Sequence, residues 1–164
     1  MSAPNVREKL AGSAAALFQR FGYARVSIRD ITSSIDIPKG TFYNYFKSKE
    51  ALASAILSQH FDALMEALGQ SGSETAGARL RRHFQSIAPS TQKPGASPLQ
   101  LISTLSAEGP ALPSALVLQI AEGVRLWNTK VAALISLAQE EGNSWLKKTR
   151  ICSLRFSSIA GKAP

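Results

Sequence analysis

The chain contains little that would support disulfide, metal or membrane chemistry. Cys152 is its single cysteine, so no disulfide can form within the chain. The two histidines, His60 and His83, lie far apart and lack the spacing of metal ligands. No apolar run is long enough to cross a bilayer, and residues 1–13 lack the apolar block of a secretory signal. We therefore expect a cytoplasmic protein without a metal, another cofactor or a membrane partner.

A catalytic set is also missing from the sequence pattern. No candidate nucleophile has an evident base partner, so we do not expect an enzyme. At 164 residues the chain is long enough for one or two small helical units with a real core. A function in binding a partner is therefore favoured over one in catalysis.

The excess of positive charge lies mostly at the C-terminal end. The net charge of the whole chain is +8. Residues 1–68 contribute +2 and residues 69–142 contribute +1, whereas residues 143–164 hold five Lys or Arg and no acid. Net charge by itself is therefore weak evidence for nucleic acid as a partner.

Apolar residues at helical spacing predict an all-α protein. The N-terminal stripe ends before Gly22, which is expected to form a left-handed cap. Later helices are predicted over 74–87, near 99–105 and over 113–142, with a flexible link at 69–77 and a loop at 89–98. The members of the first stripe are Val6, Leu10, Ala14, Leu17, Phe18 and Phe21.

The helix predicted over 74–87 is amphipathic. Leu80, Phe84 and Ile87 form its predicted inner face. His83 is expected to be partly exposed, because Arg81 and Arg82 precede it directly. Neither His60 nor His83 is expected to act as a metal ligand.

Residues 27–52 form a pattern of two short helices joined by a tight turn and followed by a third. Ser27 and Asp30 have the spacing of a capping box at the start of the first short helix. The turn is placed at 36–38, and Ser48 is placed to cap the third helix. This arrangement predicts a helix-turn-helix, whose second helix enters the major groove of DNA.

The second short helix carries polar groups suited to phosphates and base edges. It is predicted to start at Pro38 and to end near Phe46, with Phe42, Tyr45 and Phe46 in the core. Similar short helices occur in proteins that do not bind DNA, so the pattern alone leaves both interpretations open. The candidate DNA contacts are Ser27, Arg29, Lys39, Gly40, Thr41, Tyr43, Asn44 and Lys49.

Four motifs mark this region: FGY at 21–23, SIRDI at 27–31, IPKGTFYNYF at 37–46 and SKE at 48–50. Together they resemble the TetR family of bacterial transcriptional repressors. Asn44 stands where the family usually has histidine, which implies a shifted sequence preference. The resemblance implies a homodimer that binds a near-palindromic, double-stranded DNA operator. It also implies a small-molecule effector whose binding spreads the two DNA-reading helices apart.

The resemblance also implies a division of the chain into domains. Residues 1–50 correspond to the DNA-binding domain, and residues 51–142 to a ligand-binding and dimerisation domain that begins with a linking helix at 51–68. An apolar group in the second domain is the candidate lining of the ligand pocket, with core packing as the alternative for each member. The group consists of Leu101, Ile102, Leu105, Ile120, Val124 and Trp127.

Two further features refine this interpretation. Glu108 and Glu122 are candidates for a polar wall of the pocket. The segments 105–109 and 122–142 resemble a branch of the family that includes sensors of reactive electrophiles. That branch often has a cysteine before the short helix, whereas this chain has none near residues 96–97. The resemblance therefore does not extend to thiol-based sensing.

The tail at 143–164 departs from the family, which usually continues with two more helices that build the dimer interface. It has no clear helical stripe. A frameshift after Gly142, in the gene or in the recorded sequence, is one hypothesis for this departure. Without the last two helices, dimerisation would be weakened. The alternative function is a helical protein-interaction module that derives from a repressor and no longer binds DNA productively.

Overall fold

The computed structural model describes residues 5–69, 74–87 and 98–142. Within these ranges the chain is all α, with no strand, which confirms the predicted fold class. None of the described helices is both long and apolar enough to cross a membrane. Residues 88–97 and 143–164, with the frameshift hypothesis, lie outside the described residues. The α-helices are α1 (Val6–Phe21), α2 (Ile28–Ser33), α3 (Lys39–Phe42), α4 (Lys49–Gly69), α5 (Ala76–Ile87), α6 (Pro98–Ala107) and α7 (Ser114–Glu140), with a 3-10 turn at Gly109–Ala111.

Helix α1 begins at a complete capping box and ends at a glycine. The Asn5 side chain accepts a hydrogen bond from the Glu8 N–H at 3.0 Å, and the Glu8 carboxylate accepts one from the Asn5 N–H at 3.1 Å. Gly22 follows the helix with a φ of 85°, which a residue with a Cβ rarely adopts. The predicted end of the first helix is therefore confirmed.

Phe21 does not belong to the buried stripe of α1, and this part of the prediction is wrong. Its side chain is 47% exposed, and the Arg20 guanidinium lies 4.9 Å from its ring centroid. The core position beside Phe18 is occupied instead by Tyr23, whose ring centroid lies 5.4 Å from that of Phe18. The loop after α1 therefore contributes the aromatic residue that the helix was expected to supply.

The helix-turn-helix is present, with a recognition helix shorter than predicted. The turn includes Asp36, whose φ of 54° is accepted by aspartate better than by most residues. After Phe42 the N–H groups of residues 43–45 bond to carbonyls three residues back, so the chain forms a tight turn. Helix α3 therefore ends at Phe42, and the predicted end near Phe46 is wrong.

Helices α4 and α7 pack closely against each other. A Cβ on Gly123 would lie 2.4 Å from the ring of Phe61, so glycine is required for this approach. The Gln119 side chain donates to the Ser54 carbonyl at 3.0 Å. At the far end of α7, Glu141 accepts the N–H of Ala76 at 2.8 Å and fixes the start of α5.

Helix α5 buries Leu80 and Ile87 as predicted but differs from the prediction at His83 and Phe84. Its inward positions are Leu80, His83 and Ile87, which follow each other at helical spacing. His83 is fully buried, and Phe84 is 44% exposed. The predictions that His83 is partly exposed and that Phe84 lies inside are therefore both wrong.

Candidate nucleic-acid interface

One buried aromatic residue fixes α3 on the body of the protein. Phe42 is completely buried, and its ring lies 5.9 Å from that of Phe46, which is also buried. The Tyr43 ring meets the Phe42 ring edge-on, with 5.3 Å between the centroids. Because the buried Phe42 ring anchors α3 to the core, the other side chains of the helix have a defined position on the surface.

Most of the residues predicted to contact DNA are exposed. Tyr43 is 52% exposed. Among the described residues, no atom beyond the adjoining helix backbone and chain neighbours lies within 4 Å of the place where a Cβ on Gly40 would stand. Thr41 is half-buried. Pro38 caps α3 without a side-chain hydrogen bond, so no capping side chain blocks the first backbone N–H groups. The exposed members are Ser27, Arg29, Lys39, Gly40, Tyr43 and Asn44.

Tyr45 adds an aromatic group that the sequence was expected to place in the core. It is 42% exposed, so this prediction is wrong, whereas Phe42 and Phe46 are buried as predicted. The tight turn after α3 gives the inner position to Phe46, and the Arg7 guanidinium lies 5.3 Å from the Phe46 ring centroid. Two neighbouring tyrosines are therefore available at the surface.

The hydroxyl of Ser27 is already used in the predicted capping box. It accepts the N–H of Asp30 at 3.2 Å and donates to the Asp30 carboxylate at 2.7 Å. The Ser27 N–H donates to the same carboxylate at 2.8 Å, and these bonds lower the pKa of Asp30. A negative charge therefore already lies at the start of α2, beside the residue that was predicted to contact DNA.

Lys49 has partners inside the protein that the sequence did not indicate. Its ammonium donates to the carbonyls of Tyr23 and Val26, both at 2.9 Å, and lies 4.0 Å from the Tyr23 ring centroid. Burial lowers the pKa of Lys49, and the Glu108 carboxylate opposes this change. In the sequence, a lysine that follows a capping serine looks like an ordinary solvated residue. Only the tertiary contacts reveal that Lys49 holds the loop before α2.

The candidate ligand-pocket residues are brought together in the C-terminal helices. Val124 is half-buried, and the other five are buried. Two surface depressions lie away from this group. One of about 520 Å³ lies between α1 and α2, and one of about 380 Å³ lies between α4 and α5. In this state the side chains of the group pack in the core, so the assignment as an effector pocket remains a prediction.

Trp127 has a buried polar partner in this core. Its indole N–H donates to Nε2 of His83 at 2.9 Å. Burial lowers the pKa of His83, so the ring is neutral near pH 7 and carries its proton on Nδ1, for which the described residues supply no hydrogen-bond partner. The inward spacing of Leu80, His83 and Ile87 was the sequence signal that could have revealed this pair.

The two glutamates proposed for a polar wall have other partners. Glu122 forms an exposed ion pair with Arg125 at 2.6 Å. The Glu108 carboxylate accepts hydrogen bonds from the backbone N–H groups of Tyr23 and Ala24. Neither therefore lines a pocket here, and the wall prediction is wrong in this structure. Across the described residues we find no group of three or more acidic, histidine or cysteine side chains that could hold a metal ion.

Comparison with known proteins identifies the family. Residues 12–56, from α1 into α4, match the model of bacterial regulatory proteins of the tetR family. The repressor NemR of Escherichia coli K12 is 30% identical over 141 residues, which are 84% of this chain and 69% of NemR. This chain belongs to the TetR family. The repressor DhaR of Mycobacterium sp. strain GP1 is 27% identical over 146 residues, which are 87% of this chain and 72% of DhaR.

Solved TetR structures have the same fold. The crystal structure of reduced E. coli NemR superimposes with a TM-score of 0.70 at 26% identity, over 84% of this chain and 73% of NemR. A TetR regulator from Legionella pneumophila gives a TM-score of 0.68 at 25% identity, over 90% of this chain and 82% of that protein. The TetR resemblance predicted from the helix-turn-helix motifs is therefore confirmed. The chain is a ligand-responsive, DNA-binding transcriptional regulator, and its relatives are regulators.

Proposed function

We propose that this TetR protein represses transcription by placing α3 in the major groove of a near-palindromic operator, and that a small molecule releases it. Two copies of the chain each read one half-site. The observation that carries the proposal is the exposed polar surface of α3 above the buried ring of Phe42. A major groove about 12 Å wide admits a helix presented in this way.

Each candidate contact on α3 and in the turn that follows it has a distinct role in this proposal. Lys39 contacts a phosphate or a guanine edge, and Asn44 pairs with an adenine edge. Thr41 offers its hydroxyl to a phosphate or its methyl group to a thymine. The ring and hydroxyl of Tyr43 lie against the sugar-phosphate chain. The open space at Gly40 supports a close approach of the backbone to DNA.

Groups at neighbouring helix starts complete the interface. Arg29 is exposed on α2 and contacts phosphate. Ser27 contributes from the start of α2, beside the Asp30 carboxylate that it caps. Lys49 uses two of its three N–H donors on backbone carbonyls, which leaves one for a phosphate. Its larger contribution is to hold the loop that precedes α2.

The rest of the proposal concerns the assembly. Residues 1–50 form the DNA-binding domain, and residues 51–142 form the ligand-binding and dimerisation domain, with 51–68 as the linking helix. The effector binds among the buried residues around Trp127. The protein works as a homodimer in the cytoplasm, where the operator is.

The proposal can be tested with duplexes that the purified wild-type chain selects from a random pool. The selected sequences should contain two inverted half-sites about one helical turn apart. Lys39→Ala should reduce the salt slope of binding by about one. Lys130→Ala is the matched control, because Lys130 is an exposed lysine on α7, and it should leave the slope unchanged.

A spacing experiment tests the dimer separately. Inserting about five base pairs between the half-sites turns them to opposite faces of the duplex, so binding by a dimer should fall sharply. Equal binding to both spacings would contradict paired reading. Failure of the wild-type chain to enrich any sequence would contradict the proposed function itself.

A further inference from the structure

The loop between α1 and α2, residues 22–27, is held by a side chain from the other half of the molecule. The Glu108 carboxylate accepts a hydrogen bond from the Tyr23 N–H and a second, at 2.9 Å, from the Ala24 N–H. Glu108 follows α6 and precedes α7, more than 80 residues further along the chain. These bonds therefore join the loop that leads into the helix-turn-helix to the proposed effector domain.

The contact requires a carboxylate and a glycine at specific positions. Each oxygen of Glu108 accepts one backbone N–H, so both acceptors are in use. A Cβ on Gly22 would lie 2.6 Å from Oε1 of Glu108, and Gly22 also has a positive φ of 85°. The space for the carboxylate therefore exists because residue 22 has no side chain.

The loop connects this contact directly to the DNA-binding helices. The Lys49 ammonium donates hydrogen bonds to the carbonyls of Tyr23 and Val26 in the same loop. Ser27, the next residue, caps α2. Because the loop backbone is bonded at both its N–H and its carbonyl groups, a displacement of Glu108 would move the start of α2.

Glu108 is equally well connected to the proposed effector domain. Its N–H donates to the carbonyl of Leu105 at 3.2 Å, and Leu105 is buried at the end of α6. Leu112, at the end of the 3-10 turn, is buried in the same core. A molecule that inserts beside Leu105 would have to shift α6 and, with it, Glu108, since cores are tightly packed.

We propose that Glu108 is a positioning residue that couples the effector domain to the recognition helix through the α1–α2 loop. It does not touch DNA. This inference rests on the proposed function, because it describes how that function is regulated. Coupling between two sites is reciprocal, so DNA binding must also change the α6 end when Glu108 is intact.

Hydrogen exchange of the full-length chain tests the bond itself. Glu108→Gln keeps the shape of the side chain but places an NH₂ group against one backbone N–H. The amides of Tyr23 and Ala24 should exchange at least about tenfold faster in this variant, since local opening governs exchange. Glu122→Gln is the matched control, because it makes the same chemical change in an exposed ion pair of α7.

Binding of a selected duplex tests the coupling. Allosteric coupling typically changes affinity about 5- to 150-fold, so Glu108→Gln should weaken binding at least about fivefold, and Glu122→Gln should not. In the wild-type chain the duplex should slow exchange in residues 105–112. In Glu108→Gln it should slow exchange only near α2 and α3. Glu108→Asp, which keeps the charge on a shorter side chain, serves as a second variant if Glu108→Gln does not fold.

The outcomes separate the two proposals. If the wild-type chain selects a duplex and Glu108→Gln matches Glu122→Gln in affinity and in exchange, the role of Glu108 is refuted while the repressor function stands. If the wild-type chain selects no duplex, the proposed function fails, and the coupling fails with it. A fast-exchanging loop with normal duplex affinity would also overturn the coupling.

Discussion

Replacing Lys49 distinguishes a structural lysine from one that binds phosphate. Lys49→Met keeps an unbranched apolar side chain and removes the ammonium. Lys47, two residues earlier, is exposed and provides the control Lys47→Met. The first variant should lower the free energy of unfolding, and the second should change it by less than about 0.5 kcal/mol, as surface substitutions usually do.

The magnitude follows from the contacts of the ammonium. It makes two hydrogen bonds of 2.9 Å to backbone carbonyls, and each bond to a charged group contributes about 1.5–3 kcal/mol. The Tyr23 ring adds about 0.5–1 kcal/mol. Burial of the charge opposes these terms, as the lowered pKa of Lys49 indicates, and water can reach the half-buried site. We therefore expect a net loss of about 1–3 kcal/mol.

Urea denaturation followed by circular dichroism measures this loss as a lower midpoint with an unchanged slope. Duplex binding at increasing salt is then measured on the folded variants. If Lys49 neutralises one phosphate, its removal would reduce the salt slope by about 0.9. An unchanged urea midpoint together with a reduced salt slope of duplex binding would refute the structural role and show that Lys49 acts only on DNA.

Three further predictions follow from single residues. Gly123→Ala should destabilise the protein by about 1–3 kcal/mol, because the new Cβ overlaps Phe61, whereas Gly12→Ala in open space on α1 should stabilise it by up to about 1 kcal/mol, as urea midpoints will show. The pKa of His83 is lowered in the folded chain, so the unfolded chain takes up this proton at a higher pH than the folded chain does. The free energy of unfolding should therefore decrease as the pH falls below about 6.5. His83→Gln should lack that part of the pH profile in thermal melts. Tyr43→Ala should weaken duplex binding in a mobility-shift assay at an unchanged melting temperature, and unaltered affinity would contradict its role in the interface.

Local patterns in the sequence were sufficient for the helices and their starts. The Ser27–Asp30 capping box, the cap at Ser48 and the end of α1 at Gly22 depend on residues close together in the chain, and all three are present. The motifs of the helix-turn-helix were also sufficient for the family, because a reading helix needs specific residue types within about 25 positions.

Inward and outward orientation was less predictable where a neighbouring segment competed for the same space. Tyr23 took the core position expected for Phe21, and the turn after α3 gave the inner place to Phe46 and exposed Tyr45. His83 could face inward because an indole N–H from α7 was there to bond it. In each case the deciding partner lies outside the periodic pattern.

The sequence alone therefore determined which segments are helical, where several of them start, and that residues 27–52 contain a helix-turn-helix of the TetR type. The tertiary structure alone decided what the charged groups of Lys49 and Glu108 do, because their partners are backbone atoms of the α1–α2 loop, 23 or more residues away along the chain. A backbone N–H or carbonyl is the same for every residue type. The residue types in the sequence therefore do not indicate which backbone group becomes the partner. Only folding brings that group within hydrogen-bond distance.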